Sequence, residues 1–439
     1  MRKPVLVFTN NHFENDKQEL NIQEVLIMGK TELKIAGEDF FINGKKVYAD
    51  IAGTREEVHG LLMNARFIQG IFDDKAEPER FNRFGIRFDP EENTQKLIDA
   101  LPEWYSYGLR AFTVGFQGGG PCFTTDNRTI ENNPFGGDGL TLDPAYAARM
   151  DKLIRAADKI GMAVIVSYFY PGQVYRINDG RAVANAVRTA SRFLKENRYS
   201  NVIIEVCNEM DVDKAHPIIH QPEGMAVLIE IAKEQSGGLP VGCSPGGGNL
   251  YREVCEASDV ILIHGNGCSR QKLYNLISRA RKFSSGKPVV CNEDSQAVGQ
   301  LKVAGKTHSS WGYYNNMTKQ EPPADWGVTK GEDYFFAWRM AETIGIRVSA
   351  VPFEEQYYLQ GLEPNLEHEG QRWIRLASLY PEGIDFVDFY CNGEPVYTCY
   401  DEPFAVNFKS NWFFKGVETK QEDHWKAVVY LRDGRKIEK

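Results

Sequence analysis

Asn201-Val-Ile-Ile-Glu-Val-Cys-Asn-Glu209 decides the fold, and Lys287-Pro-Val-Val-Cys-Asn-Glu293 repeats its pattern further along the chain. In both stretches a short β-branched run, typical of a strand buried on both faces, ends in Asn followed by Glu. Parallel α/β barrels place their functional side chains at the carboxyl ends of such strands. The pattern therefore predicts two barrel strands that carry Glu209 and Glu293 to one mouth.

Strand and helix patterns alternate through the middle of the chain, which predicts a parallel sheet with crossover helices. Eight strands are predicted, at residues 61–70, 110–117, 162–169, 201–207, 240–243, 259–264, 288–292 and 309–313. Apolar residues three and four apart predict helices at 93–107, 143–160, 181–197, 223–235, 270–283 and 334–344. This alternation predicts an α/β protein built on a (β/α)8 TIM barrel.

Both flanks of the barrel show antiparallel patterns. Asn43-Gly44 lies between two apolar runs and predicts a type I′ hairpin that plugs or borders the barrel. After residue 348, short alternating strands with turns at Asn392-Gly393 and Asp433-Gly434 predict a small antiparallel β-sandwich. We predict an N-terminal β extension at 1–55, a catalytic barrel at 56–348 and the sandwich at 349–439.

Composition narrows the classes of partner and of site. A net charge of −9 over 439 residues, without a Lys/Arg block, argues against nucleic acid or an anionic membrane surface as the main partner. The chain has no apolar run long enough to span a membrane, and the apolar stretch near Met1 is too short for a signal peptide. We expect no metal and no cofactor, because the eight Cys lack the spacing of zinc ligands. We expect reduced thiols and a cytoplasmic location, although Cys391 and Cys399 could pair if the protein were exported.

Four motifs between roughly residues 40 and 345 resemble the clan A retaining glycoside hydrolases of the cellulase-like type. They are Asn208-Glu209, Glu293, Ile263-His264-Gly-Asn266 and Ser310-Trp311-Gly-Tyr-Tyr314. The resemblance implies that Glu209 is the acid/base, Glu293 the nucleophile and Trp311 the floor of the sugar site. The tail is similar to immunoglobulin-like modules often appended to bacterial carbohydrate enzymes. Two features depart from the family pattern: Asn266 stands where many members have Tyr, and residues 61–74 do not match the usual first strand.

The two carboxylates have the chemistry that retention requires. One carboxyl must protonate the leaving oxygen while the other, ionised, attacks the anomeric carbon from about 5 to 5.5 Å away. We expect burial and the ionised Glu293 to hold the proton on Glu209. Alternatively, each Glu caps a helix or pairs with an Arg.

Eight further residues are candidate carbohydrate ligands. Asn208 is expected to bond the hydroxyl beside the anomeric carbon, unless it caps the following loop. His264 and Asn266 would orient the nucleophile or hold a hydroxyl, or else His264 is structural, and Trp311 would stack on a pyranose ring or pack in the core. The remaining candidates, from the first three strand ends, are Arg66, Gln117, Tyr168 and Tyr170.

The predicted function is retaining hydrolysis of an O-glycosidic bond in an oligo- or polysaccharide by double displacement. Long loops at 118–142 and 315–331 would wall a pocket, which favours an exo-acting enzyme. One alternative is a non-catalytic carbohydrate-binding TIM barrel. Another is a divalent-metal hydrolase that uses Glu209, His264, Glu293 and Asp294. The sequence leaves the sugar, the linkage and the oligomeric state open.

Overall fold

A computed structural model describes residues 30–439 of the chain. Its central sheet has eight parallel strands, in which neighbours along the chain pair, except the fifth and the sixth, and the first strand pairs with the eighth. The strands are Asn64–Arg66, Ala111–Gly115, Ala163–Phe169, Val202–Cys207, Val241–Gly242, Ile261–His264, Val289–Glu293 and Ser310–Tyr313. Backbone amides of Asp259 and Val260 donate to Val241 O and bridge the fifth and sixth strands. The predicted α/β fold with a TIM barrel of eight strands is confirmed.

One main helix follows each barrel strand. These helices are Pro90–Ser106, Pro144–Ile160, Gly180–Glu196, Pro222–Ser236, Arg252–Ala257, Arg270–Phe283, Leu301–Lys306 and Glu332–Ile344. Asp89, Asp143 and Asp179 cap three of them by accepting hydrogen bonds from backbone amides of the first turn. Short helices at Pro217–His220 and Asn316–Lys319 lie in the loops of the mouth. The six predicted helices are present, and the sequence missed the two main helices of six residues each.

A hairpin sheet covers the amino-terminal end of the barrel. It consists of Leu33–Ala36, Asp39–Ile42 and Lys45–Lys46, and its turn has positive φ at Asn43 and Gly44, as a type I′ turn requires. Phe40 is buried, and Leu33 N donates to Ser200 O, just before the fourth strand. The predicted hairpin therefore closes the end opposite Glu209 and Glu293. Residues 1–29 of the predicted extension lie outside the described residues.

Small antiparallel sheets follow the last barrel helix, as the sequence predicts. The first sheet holds Tyr357–Gln360, Arg375–Ser378 and Phe404–Ala405, the second holds Glu367–His368, Gln371–Arg372 and Val417–Glu418, and the third holds Ile384–Cys391, Glu394–Cys399, Trp425–Leu431 and Lys436–Glu438. Leu376 of the first sheet packs with Val387, Phe389 and Val429 of the third in one apolar core. We call these three sheets the C-terminal sheets. Between residues 30 and 439, none of the helices has both the length and the apolar character needed to cross a membrane.

A buried ion pair fixes the C-terminal sheets to the barrel. Arg375 Nε lies 2.6 Å from Glu332 Oε1, and its Nη2 donates to Glu332 Oε2 at 2.6 Å. Both side chains are buried, and Glu332 belongs to the last barrel helix. Because truncating one partner would leave a buried charge unpaired, this bidentate contact holds the sheets in one position. That position brings the loop at residues 407–416 to the barrel mouth.

Candidate active site

Glu209 and Glu293 meet at the carboxyl end of the barrel. Glu293 ends the seventh strand, and Glu209 follows the fourth strand by two residues. Ligand atoms of Glu209, His264 and Glu293 all lie within 4.8 Å of one another, so a carboxylate oxygen of one Glu lies within that distance of the other. Glu209 adopts a φ of 48°, a conformation that side-chain-bearing residues seldom take and that is enriched at functional sites. The predicted pair is thus brought together.

His264 lies between the two carboxylates and is fully buried. Its Nδ1 is 3.2 Å from Glu209 Oε1 and 3.6 Å from Glu293 Oε2. On the other side of the ring, Nε2 is 4.0 Å from Oε1 of the buried Glu205. Burial disfavours the imidazolium, but the charges of Glu293 and Glu209 outweigh it and raise the pKa of His264.

Arg66 and Asn266 engage the two oxygens of Glu293. Arg66 Nε lies 2.8 Å from Glu293 Oε2, and Asn266 Nδ2 donates to Oε1 at 2.9 Å. Arg66 also donates from Nη2 to Asn208 Oδ1 at 2.7 Å. Among the described residues, Asn208 Nδ2 has no hydrogen-bond partner although it is buried. The site therefore holds Glu293, the candidate nucleophile, by both oxygens, and the Asn208 amide beside it is available to donate to a ligand.

The expectation that burial and an ionised Glu293 hold the proton on Glu209 is wrong for this geometry. Burial raises the pKa of Glu293, although the charge of Arg66 opposes the shift. Burial acts in the same direction on Glu209, but the hydrogen bond and the charge of His264 outweigh it, and the pKa of Glu209 is lowered. The neighbouring imidazole, which the expectation left out, therefore keeps the proton off Glu209.

A cavity of about 460 Å³ opens in front of the two carboxylates. Its lining includes Cys122 and Asn127 from the loop after the second strand, and Asn316 and Gln320 from the loop after the eighth. Glu321 joins these loops, since its carboxylate accepts hydrogen bonds from the backbone amides of residues 122 and 123. Both loops that the sequence predicts as walls of the mouth thus contribute to the cavity. Tyr170 and Asn266 line it as well, as predicted for ligand-binding residues.

Three predicted carbohydrate ligands lie away from the cavity. Trp311 is 0% exposed and donates from its indole nitrogen to Asp294 Oδ2 at 2.8 Å, so it packs in the core instead of flooring a sugar site. Tyr168 is also buried, with its hydroxyl 3.0 Å from Ser191 Oγ in the adjoining helix. Gln117 supports the site indirectly, because its Oε1 accepts a hydrogen bond from Tyr170 N.

Sequence reasoning missed Trp412, which lines the cavity from the C-terminal sheets. Asn411 anchors it: its Nδ2 donates to Cys268 O at 3.1 Å and to Asp294 Oδ1 at 3.4 Å. The only signal in the sequence is the aromatic run Trp412-Phe413-Phe414 in a segment without strand alternation. Nothing in that run indicates contact with a barrel more than 60 residues earlier in the chain.

The same residues include a group that could hold a metal ion. Within the part of the chain that the structure describes, Glu209, His264 and Glu293 could together reach one ion. Asp294, the fourth residue of the predicted metal-hydrolase set, instead bonds Trp311 and Asn411. A cation would also be repelled by the Arg66 guanidinium, which already pairs with Glu293. All eight Cys are free thiols, including Cys391 and Cys399.

Comparison with known proteins yields structural matches at low identity. No model of a known protein family matches the sequence, and no curated protein matches it either. Among solved structures, a putative glycoside hydrolase from Bacteroides vulgatus is 11% identical over 93% of this chain and 80% of that chain, with a TM-score of 0.48. A calcium-binding mutant of Bacteroides uniformis beta-glucuronidase 2 is 10% identical over 93% of this chain, which spans only 47% of that protein, with a TM-score of 0.45. A beta-mannanase from the blue mussel Mytilus edulis is 12% identical over 72% of this chain and 97% of that chain, with a TM-score of 0.45.

Proposed function

We propose that the protein is a retaining glycoside hydrolase in which Glu293 is the nucleophile and Glu209 the acid/base. The observation that carries the proposal is the approach of the two carboxylates to within 4.8 Å at the barrel mouth. Retaining enzymes hold their carboxyls about 5 to 5.5 Å apart, whereas inverting enzymes need about 6.5 to 9.5 Å to admit a water molecule. An approach of one oxygen of each carboxylate to within 4.8 Å lies on the short side of these ranges and supports attack by a carboxylate over attack by an intervening water.

Each step can be assigned to a group in the site. Glu293 attacks the anomeric carbon, the glycosidic bond breaks, and Glu209 gives its proton to the leaving oxygen. Water then attacks the anomeric carbon of the glycosyl-enzyme, Glu209 takes the water proton, and the bond to Glu293 breaks. Arg66 and Asn266 hold Glu293 by its two oxygens and so orient it for attack.

The proton for the first step is proposed to reside on His264 at rest. Its Nδ1 is 3.2 Å from Glu209 Oε1, so a proton can pass from the imidazolium to the carboxylate along this contact. The net charge of the His264–Glu209 pair is the same before and after the transfer. Moving one proton along this contact converts an ionised Glu209 beside an imidazolium into a neutral acid beside a neutral imidazole. The lowered pKa of Glu209 is therefore compatible with its role as an acid.

Ligand selection is proposed to involve the polar groups around the pair. The unpaired Asn208 Nδ2 would donate to the sugar hydroxyl next to the anomeric carbon, a contact that strengthens in the transition state. Tyr170 and the two long loops would surround the terminal sugar, which supports action at a chain end. The cytoplasmic location remains a prediction.

The test is hydrolysis of a panel of aryl glycosides and oligosaccharides, followed by proton NMR of the first anomer released. Product with the anomeric configuration of the substrate supports the double displacement. Product with the opposite configuration contradicts it and makes the pair a general acid and a general base. Binding without turnover by any panel member would favour the non-catalytic alternative, and activity lost with a chelator would favour the metal hydrolase.

A further inference from the structure

Trp412 lines the cavity, but none of the proposed catalytic steps assigns it a role. It comes from the C-terminal sheets, yet it lines the same 460 Å³ cavity as Glu209 and Glu293. The side chain is half-buried. A large aromatic ring that is partly open to a polar cavity matches what a sugar-stacking residue needs.

The neighbours of Trp412 hold it firmly against the barrel. Asn411 bonds the loop after the sixth strand through Cys268 O, and it accepts a hydrogen bond from Gly267 N. Gly267 lies against the indole: a Cβ added at this glycine would stand 3.8 Å from Trp412 Nε1.

On the other side, Phe413 stacks on Phe123 of the loop after the second strand, with ring centroids 5.9 Å apart and an interplanar angle of 21°. The Trp412 loop is thus bonded to two separate walls of the mouth. It forms a third wall of the cavity, beside the loops after the second and eighth strands.

We propose that Trp412 is the stacking platform for a pyranose ring in the catalytic cavity, so that the C-terminal sheets complete the substrate site. This inference rests on the proposed function for the identity of the ligand as a carbohydrate. The C–H face of a pyranose is apolar and packs on an indole, while its hydroxyls reach the polar residues around it. With Trp311 buried in the core, Trp412 provides the aromatic surface that the sequence assigned to the eighth strand.

The experiment compares Trp412→Ala, Trp412→Phe and wild type on whichever panel glycosides the wild type cleaves. Trp412→Ala is expected to raise KM about tenfold with a smaller change in kcat, and Trp412→Phe to recover part of the loss, as removal of a stacking contact predicts. Trp425→Phe is the matched control, because Trp425 also lies in the C-terminal sheets but bonds Thr419 instead of lining the cavity. Circular dichroism and thermal unfolding show whether each variant is folded. A folded Trp412→Ala variant with wild-type KM and kcat would overturn the inference and leave the proposed function standing.

A second readout separates the two proposals if the wild type cleaves nothing. The same oligosaccharides are then titrated against wild type, Trp412→Phe and Trp425→Phe, with the heat of binding as the signal. A saturable change in wild type and Trp425→Phe, weakened in Trp412→Phe, would support the platform and refute the hydrolase. Equal binding by all three would overturn the platform, and no binding by the wild type would overturn both proposals.

Discussion

The mouth of the barrel is built from two regions that contribute in different ways. The barrel strand ends supply a buried charge network, in which Arg66, Glu293, His264 and Glu209 are linked by contacts of 2.8 to 3.6 Å. The loop at 407–416 of the C-terminal sheets supplies a half-buried indole, and Asn411 anchors this loop by hydrogen bonds to Cys268 O and Asp294 Oδ1. On the proposed function, the strand ends perform the chemistry while the appended loop shapes the space in front of it. Changes on the barrel side should therefore act mainly on kcat and stability, and changes on the loop side mainly on KM.

The strongest test of the barrel side is Glu293→Gln. The amide cannot attack the anomeric carbon, so we expect kcat to fall about 10⁴-fold or more while the protein stays folded. Steady-state kinetics on the best panel substrate gives the loss, and circular dichroism checks the fold. Glu253→Gln, at an exposed helical position, is the control and should be unchanged. A folded Glu293→Gln variant with substantial activity would remove Glu293 from the role of nucleophile.

The charge network itself is tested by Arg66→Met. The change leaves Glu293 buried without its cation, and loss of one partner of a buried pair costs about 3–5 kcal/mol of folding free energy. Urea unfolding measures the cost. Arg155→Met is the matched control, because Arg155 and Asp151 form a half-buried pair at 2.7 Å, on the helix surface, whose loss should cost about 1 kcal/mol or less. Equal losses in the two variants would show that the network is not a stabilising feature of the mouth.

Asp294 lies at the junction of the two regions and predicts a pH dependence of stability. It contacts Trp311 in the barrel and Asn411 in the loop, and burial raises its pKa from 3.8 to about 7. A carboxyl whose pKa is raised by folding binds more protons when folded, so the free energy of unfolding falls as pH rises from about 4 to about 7. The full fall for this one group is about 4 kcal/mol at most.

Urea unfolding of wild type and Asp294→Asn between pH 4 and pH 8 measures the contribution of Asp294 to the free energy of unfolding. The difference in unfolding free energy between the two proteins should change over that interval and level off above pH 7. A constant difference would mean that folding does not shift the pKa of Asp294.

His264 predicts a pH dependence of catalysis, as Asp294 predicts one of stability. If it stores the proton for Glu209, kcat/KM should fall as pH rises through its pKa, which lies above the ordinary value of 6.5 because Glu293 and Glu209 favour the imidazolium. In His264→Asn, Glu209 must hold the proton alone, so the alkaline limb should move to lower pH and kcat near neutrality should fall about 10²-fold. An unmoved alkaline limb would contradict proton storage on His264.

The sequence could predict the barrel side of the mouth but not the loop side. The eight strands and the Glu209–Glu293 pair were predictable because β-branched runs and the polar residues that end them are local patterns. Helices such as Arg252–Ala257 were missed, because six residues span less than two turns and show little periodicity. Trp311 was misplaced because a strand buried on both faces does not reveal which side chains point to the mouth. Trp412 could not be found at all, since its contact with the barrel depends on how the C-terminal sheets dock.

The smallest expected effect, and the sharpest division between the two regions, comes from Asn411→Ala. The variant removes the bonds to Cys268 O and Asp294 Oδ1 that hold the Trp412 loop, at a cost of about 1–3 kcal/mol for the buried groups left unpaired. Among the described residues, the Asn411 side chain bonds Gly265, Gly267, Cys268 and Asp294 but neither Glu209 nor Glu293. KM should therefore rise several-fold, about as much as one lost contact predicts, with kcat nearly unchanged. Asn275→Ala, at an exposed helical position, is the control. If Asn411→Ala lowers kcat as strongly as a barrel substitution, the loop takes part in positioning the catalytic pair, and chemistry and shape are not divided between the two regions.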